Sequence, residues 1–264
     1  MYEFQYTRPA SLADAAKRRT EESSYLAGGM TLLPTLKQRL ARPDVVIDLS
    51  AVPDLKGISL AGGVLTIGAM TCHADVAASA DVKKAIPALA VLASGIGDPQ
   101  VRNRGTIGGS IANADPSADY PAAIIALGAT VHTDKRQIAG EQFFKGLFET
   151  ALAPGEIVTK VSFPVPKRAG YCKFPNPASR YAVVGVMVAD TVAGVRVGVT
   201  GAGPSAFRAK DLEAALTSSF TPDAAGAVTT AAAGLNTDMH ASAEYRAHLV
   251  GVMAKRAVVA ALAG

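Results

Sequence analysis

Two short glycine-containing segments carry the residue types expected of a site for a phosphate-bearing ligand. They read AGGMT at 27–31 and TIGGS at 106–110, and in each a hydroxyl residue follows the paired glycines within two positions. Glycine has no Cβ, so its backbone can approach a ligand closely and adopt positive φ. Successive N–H groups in such a turn form a concave anion site, and a helix beginning near Leu32 would add positive partial charge. One such turn suits a phosphate, and two brought together suit a diphosphate.

Other nucleotide-binding patterns are absent or weak, and the alternative that both segments are ordinary tight turns remains open. No GxxxxGK[ST] sequence occurs, which excludes a P-loop nucleotidase. The segment GAGPSA at 201–206 partly matches the dinucleotide fingerprint. Pro204 removes one amide from it, and no buried strand ending in an acidic residue follows. We interpret this third segment as a structural turn between a strand and a helix.

Composition indicates a globular chain with a large core. Of the 264 residues, 49% are hydrophobic and 18% are charged, a composition that excludes intrinsic disorder. The length of the chain is typical of a protein with about two domains. The net charge is +4, and no Lys/Arg stripe with interleaved aromatic residues supports binding to nucleic acid.

The two cysteines, Cys72 and Cys172, are too few to ligate an iron–sulfur cluster or a structural zinc ion. No CxxC or HExxH motif accompanies them, so we interpret both as free thiols in a reducing compartment. The N-terminus lacks an apolar secretory segment, and the longest apolar stretches are half the roughly 18 residues of a membrane span. We expect a cytoplasmic protein without a membrane span.

Hydrophobic periodicity places the glycine segments between regular elements. A capped helix is predicted after Ser11, a strand at 25–27 leads into the first glycine turn, and a helix follows it to residue 40. Further helices are predicted at 74–78, 82–92, 120–127, 206–216, 222–235 and 242–262. Strands are predicted at 45–49, 64–67, 130–133, 157–163, 181–189 and 194–200, and residues 95–105 are predicted to form a loop.

These segments together resemble the FAD-binding medium subunit of molybdenum hydroxylases, a family that includes carbon monoxide dehydrogenase medium subunits and the flavin domain of xanthine dehydrogenase. The resemblance is carried by AGGMTLLPTLKQR at 27–39, IGDPQVRNRGTIGGSIANADPSADYPA at 96–122 and YCKFPNPASRYAVV at 171–184. It implies an α+β fold: an FAD-binding PCMH-type domain of two α/β subdomains, then a small domain with an antiparallel sheet and a helical cap. A change in composition near Pro164 predicts the limits as 1–163, with subdomains 1–52 and 53–163, and 164–264.

The resemblance also implies which residues would hold FAD. The two glycine segments would wrap its diphosphate, Ile96 would pack near the cofactor, and Val158 would contact the flavin ring. Asp119 would hydrogen-bond the cofactor, or else be a helix N-terminal acid favoured by the dipole. Lys173 would lie near the isoalloxazine, or else be a solvated surface lysine. The full set is Ala27, Gly28, Gly29, Met30, Thr31, Leu32, Ile96, Thr106, Ile107, Gly108, Gly109, Ser110, Asp119, Val158 and Lys173.

Two details of this set concern the flavin itself. Met30 departs from the His or Gln that some relatives have at that position. Because Thr31 keeps the hydroxyl, we expect diphosphate binding to be retained, and the effect of Met30 on the flavin is left open. None of the four histidines lies in a glycine segment, so we expect noncovalent FAD, with His73 the residue to check for a covalent bond.

The family resemblance implies an electron-transfer subunit with no catalytic acid–base pair, nucleophile or metal site of its own. Substrate would be hydroxylated at a molybdenum–pterin centre on a large subunit, and electrons would pass through iron–sulfur clusters on a small subunit to FAD and then to an external acceptor. A dimer of heterotrimers is expected. Two alternatives are a stand-alone FAD-dependent oxidase or dehydrogenase and a non-catalytic α/β module. The substrate and the acceptor are not specified by this chain.

Overall fold

The N-terminal part of the chain is a small parallel β-sheet whose crossovers are helices. The computed structural model describes residues 1–264. Strands β1 (Gln5–Thr7), β2 (Ser24–Leu26) and β3 (Val45–Asp48) pair in parallel in the order β1-β3-β2, joined by helices α1 (Leu12–Lys17) and α2 (Leu32–Lys37). Strand β2 is an edge strand of this sheet, and α2 is the crossover that joins it to the parallel strand β3. The turn between β2 and α2 therefore lies at the carboxyl end of an edge strand. That turn is the first glycine segment.

The middle of the chain is a five-stranded antiparallel sheet with short helices packed against it. Its helices are α3 (His73–Ala78), α4 (Ala80–Ala85), α5 (Pro87–Ser94), α6 (Pro99–Arg102), α7 (Ile107–Asn113), α8 (Tyr120–Ala126) and α9 (Gly140–Phe143). Its strands are β4 (Ile58–Ala61), β5 (Val64–Gly68), β6 (Thr130–Thr133), β7 (Gln137–Ala139) and β10 (Val158–Pro164), in the order β4-β5-β10-β6-β7, with a separate hairpin of β8 (Phe144–Gly146) and β9 (Glu149–Thr150). Alternate residues of the central strands, such as Leu65, Ile67 and Val161, enter the largest hydrophobic core.

The C-terminal part is a four-stranded antiparallel sheet covered by helices. It comprises β11 (Arg168–Pro175), β12 (Ala182–Thr191), β13 (Gly194–Thr200) and β14 (Phe207–Arg208) in sequential order, with α10 (Lys210–Ser218), α11 (Pro222–Gly226) and α12 (Ala243–Ala263). Strand β12 is buried almost throughout because both of its faces are covered. Val186 and Val188 share a core with α12, whereas Met187 and Ala189 belong to the core that contains α8.

The predicted fold class is confirmed, and three of the predicted helices differ from the structure in their bounds. The helix predicted at 82–92 is divided at Pro87, which begins α5 because proline suits the first turn of a helix. The helix predicted at 222–235 ends at Gly226. The residues 206–216 begin with strand β14 before α10, so the 201–206 segment joins two strands instead of a strand and a helix. No helix has both the length and the apolar character needed to cross a bilayer.

Candidate functional site

Thirteen of the fifteen predicted cofactor residues line one cavity of about 680 Å³. Its volume lies in the range of about 300–1,000 Å³ typical of small-molecule and cofactor sites. The thirteen are Ala27, Gly28, Gly29, Met30, Thr31, Leu32, Ile96, Thr106, Gly108, Gly109, Ser110, Asp119 and Val158. Ile107 and Lys173 are the two predicted residues that do not line it.

The two glycine segments lie against each other at this cavity although about 75 residues separate them in sequence. A Cβ atom on Gly28 would overlap the carbonyl oxygen of Arg104 and lie 2.8 Å from the Cα of Gly105. A Cβ on Gly109 would lie 3.3 Å from the Cβ of Ala27. Only glycine therefore permits this close approach of the β2–α2 turn to the start of α7.

The first segment presents a row of unpaired backbone donors. The N–H groups of residues 28–32 donate to no carbonyl or side chain of the protein, and the next amide, that of Leu33, donates to the Gly29 carbonyl at 3.0 Å. Gly29 adopts φ +78°, which turns the chain into α2. The N-cap residue Thr31 makes no side-chain capping bond. Five consecutive unpaired amides beside a cavity form the expected anion site.

The second segment differs from the expectation, and the prediction that it too presents free amides is wrong. It forms the first turn of α7, a helix that the sequence interpretation lacked. Ile107 N–H donates to the Thr71 carbonyl at 3.2 Å, Gly108 N–H to the Ala69 carbonyl at 2.8 Å, and Gly109 N–H to Thr106 Oγ1 at 3.1 Å. The Thr106 N-cap is the sequence signal that could have shown this helix start.

Each glycine of this second segment has a separate packing role. A Cβ on Gly108 would lie 2.5 Å from the Cβ of Ala69, so this glycine allows α7 to pack on the end of β5. Gly109 faces the first segment instead. Ile107, predicted among the cofactor residues, is fully buried in the core and does not reach the cavity. The segment therefore contributes close packing, the Ser110 side chain and the N-terminal end of α7.

Lys173 and Asp119 form a buried ion pair at the edge of the site, which neither sequence alternative anticipated. The Lys173 side chain is 11% exposed, with Nζ 2.9 Å from Asp119 Oδ1, and Asp119 makes no capping bond for α8. Nζ also donates to the carbonyls of Gly95 at 2.9 Å and Arg180 at 2.7 Å. The Tyr171 hydroxyl donates to Asp119 Oδ1 at 2.5 Å. Lys173 thus ties two loops to a buried carboxylate and is not a solvated lysine.

The electrostatics of this pair follow from its burial. Loss of solvent raises the pKa of Asp119, whereas the Lys173 ammonium and its hydrogen bond act to lower it. Burial beside Asp119 also raises the pKa of Tyr171 well above its usual range. The Asp119 carboxylate is therefore neutralised by the Lys173 ammonium and hydrogen-bonded by the neutral Tyr171 phenol. Of these three residues, only Asp119 lines the cavity.

Several cavity residues were not predicted from the sequence because they lie outside any motif. Glu156 accepts from Arg136 Nε at 3.0 Å and from Thr133 Oγ1 at 2.6 Å, and these bonds lower the pKa of Glu156 to about 2. Tyr25 and Tyr181 add aromatic side chains to the lining. None of these residue types is informative alone, since only the fold brings them to the cavity.

The buried imidazole of His73 predicts a pH dependence of stability. Burial and the nearby Arg102 lower the pKa of His73 from 6.5 to about 4. The unfolded chain therefore binds a proton between pH 6.5 and pH 4 that the folded chain does not, so stability falls as the pH falls through this range. We expect His73→Phe to remove about 3 kcal/mol of this loss, measured by denaturation of the chain at pH 4 and pH 7. An identical pH dependence in the variant would contradict the assignment.

The site has the features of a dinucleotide-cofactor protein: a row of unpaired amides, a second glycine segment packed beside it, and a cavity with aromatic and apolar walls. The residues present fit FAD, because the amides offer donors to a diphosphate and Ile96, Val158 and Tyr181 offer surfaces to its rings.

Comparison with known proteins agrees with this class. Residues 2–166 match the family model described as FAD binding domain in molybdopterin dehydrogenase, and residues 169–261 match the CO dehydrogenase flavoprotein C-terminal domain. The chain is 37% identical to the nicotine 6-hydroxylase medium subunit of Paenarthrobacter nicotinovorans, over 97% of this chain and 96% of that one. It is 34% identical to the carbon monoxide dehydrogenase medium chain of Hydrogenophaga pseudoflava, over 98% and 97%.

A solved structure gives the same result. The chain superimposes on reconstituted CO dehydrogenase from Oligotropha carboxidovorans with a TM-score of 0.92 and 33% identity, covering 99% of this chain and 98% of that one. The chain belongs to the FAD-binding medium subunits of molybdenum hydroxylases. The family resemblance stated from the sequence is confirmed, as is FAD as the cofactor of this class.

Proposed function

We propose that FAD binds in the 680 Å³ cavity with its diphosphate on the unpaired N–H groups of residues 28–32. These five donors are the observation that carries the proposal. If each contributes roughly 1.5–3 kcal/mol to a charged acceptor, the gross gain is about 7–15 kcal/mol. That offsets an association cost of about 4–15 kcal/mol, and burial of the rings supplies the surplus.

The remaining cavity residues would orient the cofactor around this anchor. The Thr31 and Ser110 hydroxyls flank the amides, and Ile96 and Val158 give apolar contacts to the rings. Residues 1–163 form the FAD-binding domain in this proposal, with subdomains 1–52 and 53–163. Residues 164–264 form the second domain, whose Lys173 holds Asp119 at the cavity wall.

The chain is an electron-transfer subunit of a molybdenum-dependent oxidoreductase. FAD supplies the reversible uptake of electrons, and the protein binds it, orients it and shields it from water. We propose a large molybdopterin subunit and a small iron–sulfur subunit as partners, in a dimer of heterotrimers. The chain has two cysteines, both free thiols, so iron–sulfur clusters belong on another subunit. Free thiols are also typical of the cytoplasm, where we propose the complex lies.

The proposal is tested by comparing the isolated chain with the assembled complex. We expect the isolated chain to bind one FAD and to show no flavin bleaching with carbon monoxide, aldehydes or N-heterocycles. The complex with its co-purifying subunits is expected to bleach with one of these substrates. Bleaching by the isolated chain would favour a stand-alone dehydrogenase, and a chain that takes up no FAD would favour a non-catalytic module.

A further inference from the structure

His73 is a buried imidazole at the cavity, and it is not among the residues proposed above to contact FAD. It is the first residue of α3 and is 4% exposed. Its backbone N–H donates to the Gly105 carbonyl at 3.0 Å. Its ring packs beside that of Tyr120 with centroids 5.4 Å apart. It nevertheless lines the cavity.

The two nitrogens of this ring have different surroundings. Nδ1 is completely buried and has no hydrogen-bond partner in the protein. Nε2 also has no hydrogen-bond partner in the protein, but unlike Nδ1 it is not completely buried, and a Cβ on Gly105 would lie 2.7 Å from it. A buried N–H without an acceptor is rarer in proteins than an under-used acceptor. The neutral ring therefore carries its proton on Nε2, which leaves one donor without a partner.

Gly105 connects this donor with the row of unpaired amides. It touches Nε2 of His73 on one side, and on the other a Cβ on Gly28 would lie 2.8 Å from its Cα. The imidazole thus sits next to the place where the β2–α2 turn meets the start of α7. A donor at this junction that has no acceptor in the protein would be satisfied by an acceptor on the ligand.

We propose that His73 donates a hydrogen bond from Nε2 to the diphosphate of FAD, adding a side-chain donor to a backbone anion site. This inference rests on the proposed FAD site at residues 28–32. A neutral donor is suited to this position because it bonds the phosphate oxygens while Arg102, close by, already supplies positive charge.

The test uses His73→Phe, which keeps an aromatic ring and removes both nitrogens, with Tyr120→Phe as the matched control. Tyr120 has an equally buried hydroxyl without a partner in the same ring pair, but it does not line the cavity. We expect His73→Phe to weaken FAD binding about 10- to 100-fold, measured by calorimetry. The affinity of ADP, measured by its competition with FAD, is expected to fall by the same factor. Tyr120→Phe is expected to leave both unchanged, and His73→Gln to recover part of the loss.

The outcomes separate this inference from the function on which it depends. Wild-type affinity in His73→Phe would overturn it and leave the FAD site intact. A loss of FAD affinity without a matching loss of ADP affinity would also overturn it, because the imidazole would then contact the isoalloxazine instead of the diphosphate. Failure of the wild-type chain to bind FAD would overturn the proposed function together with this inference. The apo variants are compared by thermal denaturation, and His73→Gln serves if His73→Phe does not fold.

Discussion

Replacing Gly109 with valine is expected to give a folded chain that retains no FAD. A Cβ at this position would lie 2.9 Å from Thr106 Oγ1 and 3.3 Å from the Cβ of Ala27, in the gap between the two glycine segments. Branched methyl groups would fill the space next to the diphosphate and disturb the Thr106 cap. We expect at least a 100-fold loss of FAD affinity, equivalent to about 3 kcal/mol, and about 1 kcal/mol of lost stability. Flavin content and calorimetry measure the first, and thermal denaturation the second.

Gly108→Ala is the matched control for this prediction. Gly108 also lines the cavity, but a Cβ added there would point at Ala69, 2.5 Å from the Cβ of that residue. Overpacking there costs about 1–3 kcal/mol of stability, so this variant is expected to lose stability more than cofactor affinity. Stoichiometric FAD in Gly109→Val would show that the diphosphate does not lie between the segments.

Lys173→Met is expected to destabilise the chain by about 3–5 kcal/mol, because it leaves the Asp119 carboxylate buried without its cation. Asp119 is 3% exposed, and the pair is 2.9 Å apart. The substitution also removes the bonds to the Gly95 and Arg180 carbonyls that hold two loops together. A lysine beside the isoalloxazine, as the family resemblance implies, would instead affect mainly the reduction potential of the flavin. The structure predicts an effect on stability first, measurable by urea denaturation without the cofactor.

The double variant Lys173→Met, Asp119→Asn separates pairing from packing. Asparagine removes the buried charge that the single variant leaves behind, so we expect the double variant to be more stable than Lys173→Met by at least about 1 kcal/mol. A Lys173→Met chain within about 0.5 kcal/mol of wild type would mean that the lysine is a surface residue.

The elements that the sequence predicted well are those whose pattern is local. The strand, glycine turn and helix around Gly28 follow from an apolar run, a residue pair without Cβ and helical spacing of leucines. Strands β12 and β13 follow from the two apolar runs at 181–189 and 194–200. The helix after Ser11 was visible through its cap.

What could not be predicted depends on contacts between distant parts of the chain. The amides of Ile107 and Gly108 donate to the carbonyls of Thr71 and Ala69. No local sequence pattern connects these donors with acceptors more than thirty residues earlier in the chain. The same holds for Lys173, whose environment comes from Asp119, 54 residues away. A glycine pair thus predicts that something approaches the backbone closely. Only the structure shows whether a ligand or another segment of the protein occupies that place.

Amide hydrogen exchange with and without FAD tests the central claim most directly. The amides of residues 28–32 are unpaired in the protein, whereas those of residues 107–109 already have acceptors. We predict that FAD slows exchange at residues 28–32 at least tenfold and leaves residues 107–109 nearly unchanged. Unchanged exchange at residues 28–32 on saturation with FAD, or new protection confined to residues 107–109, would contradict the account.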